Sequence, residues 1–99
     1  YRWLNAPMLL DSGADVSLVP EECVNRLGIT AAPTRHYQLI GFNGSTSLAP
    51  VVRLELLLCG RTFRGQFLLI GQPWGIIGRN IMNAPCLVFD GPQLSWRAL

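Results

Sequence analysis

The stretch LLDSGADVSLVP, residues 9–20, sets one carboxylate between a short apolar strand and a Ser-Gly turn. An unpaired aspartate at the end of an apolar strand is costly to desolvate, so Asp11 needs a structural or a chemical reason to be there. A D-S-G tripeptide by itself is typical of an Asx turn at a strand end. Acid–base chemistry would need a second carboxylate, and the chain holds no second copy of this stretch.

Outward from this stretch, short apolar runs are separated by turn residues such as the Asn43-Gly44 pair. In residues 52–58, Val52 and every second residue after it are apolar, while Arg53 and Glu55 stand between them, and residues 63–70 show a similar period of two. This pattern predicts two strands with one face in the core. The interval between them, residues 59–62, predicts a hairpin turn. Many short strands between turns favour an all-β barrel or sandwich.

Two segments depart from the β pattern. Residues 20–28, PEECVNRLG, predict a short helix that starts at Pro20, carries acidic residues in its first turn and stops at Gly28. Residues 78–85, GRNIMNAP, predict about two helical turns, because Pro85 ends the segment. Neither helix is long enough to make the chain an α/β protein.

Composition excludes several classes of protein. The chain has 99 residues, which predicts a single domain over residues 1–99. Its net charge is only +2 and its arginines are scattered, so we expect no nucleic-acid partner. No apolar run approaches the length of a membrane span, and we expect no membrane contact by this domain.

Three cysteines, Cys23, Cys59 and Cys86, are odd in number and widely spaced. This spacing argues against a disulfide framework or a zinc site and favours reduced thiols in an intracellular setting. The abrupt start, YRWLN, suggests a domain released from a longer precursor.

Three segments together resemble the retroviral-type aspartic proteases, the retropepsins. They are LLDSGADVS at residues 9–17, YQLIGFNGSTSLAP at residues 37–50 and GIIGRNIMN at residues 75–83, and their order and separations fit the family. The resemblance implies a closed, barrel-like all-β fold of about a hundred residues. It also implies a flap hairpin over the cleft, and activity as a homodimer with one D-S-G from each subunit.

This implied symmetry supplies the missing carboxylate. An isologous interface would bring Asp11 against its own copy, and two carboxyl groups so close cannot both ionise, as in aspartic protease dyads generally. One would take a proton from a shared water while the other donates to the substrate carbonyl. Ser12 would hydrogen-bond across the dimer axis and Gly13 would complete the catalytic tripeptide. The resemblance implies no metal and no cofactor.

The resemblance also assigns a buried ion pair between Asp15 and Arg79, whose disruption from one side would cost about 3–5 kcal/mol. In the flap, Asn43-Gly44 predicts a two-residue type I′ turn. The expected pocket walls are apolar, which implies hydrophobic side chains beside the cleaved bond, although Leu18 could equally be a core residue. The residues assigned to substrate contact are Leu9, Ala14, Asp15, Val16, Leu18, Gly41, Phe42, Asn43, Gly44, Pro73, Trp74 and Ile76.

The chain departs from the viral pattern at its ends. Only ten residues precede Asp11, so we predict that the N-terminal interface strand is missing. The segment CLVFDGPQLSW instead predicts strand, turn and strand, with residues 87–89 and 93–96 paired between subunits. The residues assigned to the interface are Ser12, Leu87, Val88, Phe89, Gln93, Leu94, Ser95 and Trp96.

The sequence therefore favours a homodimeric aspartic endopeptidase acting on a polyprotein or on protein targets. An alternative from another class is an inactive retropepsin-like module that dimerises or binds peptides. A third interpretation, an unrelated small β-barrel binding domain, would leave the joint motif match as coincidence.

Overall fold

The computed structural model describes residues 3–29, 32–41 and 43–99. Within these ranges, no helix is long and apolar enough to cross a membrane. The elements in chain order are β1 (Met8–Leu10), β2 (Leu18–Pro20), α1 (Glu21–Arg26), β3 (Ala32–Ile40), β4 (Thr46–Leu58), β5 (Arg61–Ile70), β6 (Gly75–Ile77), α2 (Arg79–Met82), β7 (Leu87–Asp90) and β8 (Ser95–Ala98).

Six of these strands form one mixed sheet in the order β1-β6-β2-β5-β4-β3. Strand β1 runs parallel to β6 and β2 runs parallel to β5, whereas the β3–β4 and β4–β5 pairs are antiparallel. The sheet curls into a half-barrel with β1 and β3 at its edges. This architecture, with two short helices beside it, confirms the predicted fold class.

The β4–β5 hairpin forms the long arm of the sheet, as the period-two pattern predicts. Its register pairs Val52 with Phe67 and runs on to the pair of Leu58 and Arg61. The two residues between the strands, Cys59 and Gly60, have φ angles of 52° and 74°. Positive φ at both central residues is the requirement of a type I′ turn, whose twist matches that of the strands.

The central strands of the sheet are buried on both faces. Toward the helices, Val19, Phe67 and Ile77 pack with Val24 of α1 and Ile81 of α2. The opposite face carries a second buried cluster: Leu18, Ala49, Val51 and Leu68. Alternation along the strands therefore separates one cluster covered by helices from another that underlies the cleft described below.

Gly78, at the corner between β6 and α2, permits a close backbone approach. A Cβ on this residue would lie 2.7 Å from the carbonyl carbon of Val16 and 2.9 Å from the carbonyl oxygen of Ala14. We expect Gly78→Ala to lower the free energy of unfolding by about 1–3 kcal/mol, because the neighbouring atoms are backbone and have little freedom to shift.

Urea denaturation of the purified chain measures this loss. Gly71→Ala is the matched control, because a Cβ at that position would meet no described atom within 4 Å apart from those of its chain neighbours. Equal stability of the two variants would contradict the packing assigned to Gly78.

Candidate active site

Asp11 lies immediately after β1 at the start of a tight loop. Its backbone N–H donates to the carbonyl of Ile77 at 3.0 Å, and its own carbonyl accepts from Ala14 N–H at 3.1 Å. Its Oδ1 accepts from the N–H of Gly13 at 2.9 Å, which closes an Asx turn. The structure thus fixes the carboxylate by main-chain contacts while leaving the side chain exposed to solvent.

Residues 11–15, which we call the Asp11 loop, are tied to the start of α2. Arg79 N–H donates to the carbonyl of Ala14 at 2.8 Å. The Arg79 guanidinium forms an ion pair with Asp15 and reaches the Ser12 carbonyl at 3.4 Å. The pair predicted from the resemblance is therefore present.

The ion pair between Asp15 and Arg79 was predicted to be buried, and this prediction is wrong for the single chain. The side chains of Asp15 and Arg79 are 81% and 48% exposed, because no residue in the described parts of the chain covers the contact between the loop and the helix. Water solvates both charges, so the cost of losing the pair is closer to that of a surface ion pair.

We expect Asp15→Asn to lower the free energy of unfolding of the monomeric chain by less than about 1 kcal/mol. The effect should shrink further in high salt, which screens exposed charges. Chemical denaturation at low and at high ionic strength measures both quantities. A salt-independent loss of about 3 kcal/mol or more would instead indicate the buried pair of the original prediction.

An open cleft of about 660 Å³ lies between the Asp11 loop and the hairpin of β3 and β4. The structure brings eight of the residues predicted for the site to the walls of this cleft. They are Asp11, Gly13, Ala14, Asp15, Val16, Leu18, Gly41 and Ile76. Leu18 is both core and wall, since it belongs to the cluster beneath the cleft.

The cleft has further walls that the sequence analysis missed. Most come from β3 and from the residues at the start of β4. Four consecutive residues, 37–40, line the cleft, so no period-two pattern in the sequence distinguishes them. The curl of the sheet, which carries this hairpin toward the Asp11 loop, has no local signal. The missed wall residues are Tyr37, Gln38, Leu39, Ile40, Ser45, Ser47 and Ile70.

The remaining predicted contacts lie elsewhere in the single chain. Leu9 is outside the cleft walls, yet it pairs in register with Ile76 and is 51% exposed on the same sheet face. Pro73 and Trp74 lie in the connection before β6, away from the cleft walls, and Ser12 is exposed in the Asp11 loop. Their roles stay predictions. Phe42, assigned to the flap, lies outside the described residues.

The flap, the end of the β3–β4 hairpin, has a different turn from the one predicted. Ile40 pairs with Thr46, so five residues connect the strands rather than two. Gly41 N–H donates to Ser45 O at 2.9 Å, and Gly44, with φ of 77°, donates to Gly41 O at 3.0 Å. This pattern is that of a longer loop with a glycine bulge.

Asn43 stabilises this longer loop. Its Oδ1 accepts from both the N–H of Ser45 at 3.0 Å and the Oγ of Ser45 at 2.6 Å. A two-residue turn would place Asn43 at a central position and would lose this local pair of bonds. The side chain of Asn43 is thus used to hold the flap loop, and neither Asn43 nor Gly44 lines the cleft.

The C-terminal hairpin, β7 and β8, forms a separate two-stranded sheet. The predicted second strand is corrected at its start: Gln93 and Leu94 lie in the turn, and β8 begins at Ser95. Phe89 pairs with Trp96, and the two side chains are 60% and 41% exposed, while Leu94 at the turn is 93% exposed. An apolar two-stranded sheet of this kind is marginal in water on its own.

No set of three or more His, Cys, Asp or Glu side chains in the described parts of the chain is arranged to hold a metal ion. The acidic groups of the cleft are Asp11 and Asp15, and Arg79 neutralises the second of them. The chemistry that the described part of the cleft offers is therefore that of a single carboxylate in a largely apolar groove.

Comparisons with known proteins agree with this geometry. The family described as Aspartyl protease matches residues 4–94. A solved structure of EIAV protease complexed with the inhibitor HBY-793 is similar, with a TM-score of 0.59 and 29% identity over 77% of this chain and 72% of that chain. No match was found among curated proteins.

A second solved structure, the foamy viral protease-reverse transcriptase in complex with an RNA/DNA hybrid, has a TM-score of 0.59. Its identity is 20%, and the match covers 77% of this chain but only 10% of that chain. This likeness supports the fold alone.

Proposed function

The chain belongs to the aspartyl protease family, to its retropepsin-like branch, and from that premise we propose that it is a homodimeric endopeptidase that hydrolyses peptide bonds. The observation that carries the proposal is the placement of Asp11. Its backbone is held rigidly, and its carboxylate is exposed at one end of a largely apolar cleft.

The proposal requires two copies of the chain. Peptide hydrolysis by carboxylates needs one group to act as base and another to act as acid. Among the side chains that the structure describes, this cleft offers one carboxylate without a neutralising cation. A two-fold axis beside the Asp11 loop supplies the second, because it places the same residue of the partner opposite the first. The exposure of Ser12 in that loop suits a hydrogen bond across the axis.

The C-terminal hairpin supports the same assembly. Leu87 and Phe89 share one face with their register partners Ala98 and Trp96, so one side of the hairpin is almost wholly apolar. We assign this side to the dimer interface, where a second hairpin covers it. Of the residues predicted for the interface, Leu87, Phe89 and Trp96 lie on this side. Val88 and Ser95 lie on the opposite face, and Gln93 and Leu94 lie in the turn, so these four would meet the partner only at the margin of the interface.

The reaction follows from sharing one proton between the two Asp11 carboxyl groups. The ionised group removes a proton from a bound water, and the water oxygen attacks the carbonyl carbon of the peptide bond. The protonated group donates to the carbonyl oxygen as the tetrahedral intermediate forms. As the C–N bond breaks, the group that took the water proton gives a proton to the leaving nitrogen, and the other group takes the proton of one hydroxyl of the intermediate. The pair again holds one proton. Atoms and charge balance without a metal or a covalent enzyme intermediate.

The substrate is an extended peptide with hydrophobic side chains beside the cleaved bond. Val16, Leu18 and Ile76 give the cleft an apolar floor, and Leu39 and Ile40 of the flap give it an apolar wall. A β-like peptide between floor and flap would hydrogen-bond to the exposed main chain of both. Protein or polyprotein segments that are unfolded locally meet this description.

Incubation with an unfolded protein in mildly acidic buffer tests the proposal. We expect cleavage between hydrophobic residues that a transition-state mimic of the pepstatin type inhibits. Mass spectrometry of the products identifies the cleaved bonds. A proven dimer that binds such peptides and leaves them intact would instead be the inactive binding module.

A further inference from the structure

Ser17 is a buried polar residue placed between the apolar residues Val16 and Leu18. Its relative exposure is 2%, and its hydroxyl makes two hydrogen bonds to a segment more than sixty residues away. It accepts from the backbone N–H of Gly78 at 2.9 Å and donates to Oδ1 of Asn80 at 2.8 Å. The hydroxyl thus acts as both donor and acceptor at the corner between β6 and α2.

The N–H that Ser17 holds belongs to the same peptide group as the carbonyl that holds Asp11. Gly78 N and Ile77 O are the two polar atoms of the Ile77–Gly78 peptide, and Ile77 O accepts from Asp11 N–H at 3.0 Å. A peptide group is planar, so a force that sets the direction of its N–H also sets the direction of its carbonyl. Ser17 and Asp11 are therefore joined through one rigid unit.

Movement of this unit would pass directly to the carboxylate. Asp11 bonds to Ile77 through its backbone, and its side chain bonds to Gly13 within the same short loop. A tilt of the Ile77–Gly78 peptide would displace the Asp11 backbone, and the Asx turn would carry the carboxylate with it. Because a misplacement of about 1 Å can cost on the order of 100-fold in rate, a small tilt is enough to matter.

We propose that Ser17 is a positioning residue for Asp11, acting through the Ile77–Gly78 peptide, and that Asn80 orients its hydroxyl. Because Asn80 Oδ1 accepts the hydrogen bond from the Ser17 hydroxyl, a lone pair of the Ser17 oxygen is directed at the N–H of Gly78. The effect on catalysis rests on the proposed function. The effect on the main chain of Asp11 does not.

The matched test is Ser17→Thr against Ser17→Val. Thr and Val have the same shape and differ only in the hydroxyl, and Ser17 borders a small cavity of about 120 Å³ that offers room for the added methyl group. We expect the Thr variant to keep a near-native kcat and the Val variant to lose about 10- to 100-fold in kcat with little change in KM. Titration with a tight inhibitor normalises each rate to active dimers.

Hydrogen exchange of backbone amides gives a readout that does not need activity. We expect the Asp11 amide to exchange about 2- to 10-fold faster in the Val variant than in the Thr variant, because its acceptor is less well held. Amides of the β4–β5 hairpin serve as internal reference. Equal exchange at Asp11 in both variants overturns the proposal, whatever the activity. Faster exchange in a protein without peptidase activity upholds it and refutes the proposed function instead.

A second pair covers the case in which the Val variant does not fold. Asn80 is exposed, so its substitution is tolerated more easily than substitution of a buried residue. Asn80→Asp keeps an acceptor oxygen and Asn80→Leu removes it, and the Leu variant alone should show the faster Asp11 exchange. Val24→Ala, on the buried side of α1, controls for general loss of stability and should leave exchange at Asp11 unchanged. If Val24→Ala reproduces the effect, the role of Ser17 is only structural.

Discussion

Replacing Asp11 with Asn is expected to abolish peptide hydrolysis while the fold and the dimer persist. The amide is nearly the same size as the carboxyl group, but it can neither take a proton from water nor donate an acidic one. General acid–base catalysis contributes up to about 10⁴-fold, so the rate should fall by on the order of 10⁴. Product formation from a peptide that the wild-type protein cleaves measures the loss.

Mixing the variant with the wild-type protein tests whether the two carboxyl groups come from different chains. Random pairing in an equimolar mixture leaves about a quarter of the dimers with two native Asp11 residues, so activity should fall to about a quarter rather than to half. Glu22→Gln, which removes a charge from the exposed face of α1, is the control and should leave the rate unchanged. Activity that falls in simple proportion to the wild-type fraction would refute the shared site.

Phe89→Glu is expected to convert the dimer to monomers and to remove activity as a consequence. A buried aromatic residue at the centre of an interface contributes about 2 kcal/mol or more to the binding free energy. The two-fold symmetry places the substitution in both subunits, so we expect Kd to rise by about 10³-fold. Analytical ultracentrifugation over a range of concentrations measures the dissociation. A truncation after Asp90, which removes β8, should give the same monomer.

Leu57→Glu is the matched control for this substitution. Leu57 is also an exposed apolar residue, but it lies on β4, in the main sheet rather than in the C-terminal hairpin. It should leave the dimer and the rate unchanged. A Phe89→Glu protein that sediments as an undiminished dimer would show that the hairpin is not the interface.

Much of the fold follows from short-range patterns in the sequence. The period-two alternation of β4 and β5 predicted both strands and their shared face, because a half-buried sheet requires it. Pro20, two acidic residues and Gly28 predicted α1 for the same kind of local reason. The D-S-G tripeptide predicted the Asx turn that closes on Asp11.

The incorrect predictions have two causes. One is competition between alternative local hydrogen bonds, and the other is dependence on residues that are distant in sequence. Asn43-Gly44 favours a type I′ turn in isolation, but the two bonds from Ser45 to Asn43 favour the longer loop. The type I′ turn forms instead at Cys59, a residue type with no strong preference for positive φ. Burial of the ion pair between Asp15 and Arg79 depends on what covers them, which no local pattern encodes.

Ser17 illustrates an intermediate case. A single hydroxyl residue inside the apolar run of residues 16–19 signals a buried hydrogen bond, since an unpaired hydroxyl there would be costly. The partners, Gly78 and Asn80, flank Arg79, which was the residue of this segment predicted for an ion pair. The sequence therefore drew attention to Ser17 and to residues 78–80 separately, but their contact appears only in the folded chain.

Because β7 and β8 form a sheet of their own, the proposed association would vary independently of the main fold. The core clusters draw on the six-stranded sheet and the helices, and neither includes a residue of the C-terminal hairpin. Substitutions in the hairpin would shift the concentration at which proteolysis begins while leaving bond preference and folding untouched. Under the proposed function the hairpin would set the concentration at which cleavage begins. Dilute chains would stay folded and inactive, and a high local concentration of the same chains would start cleavage.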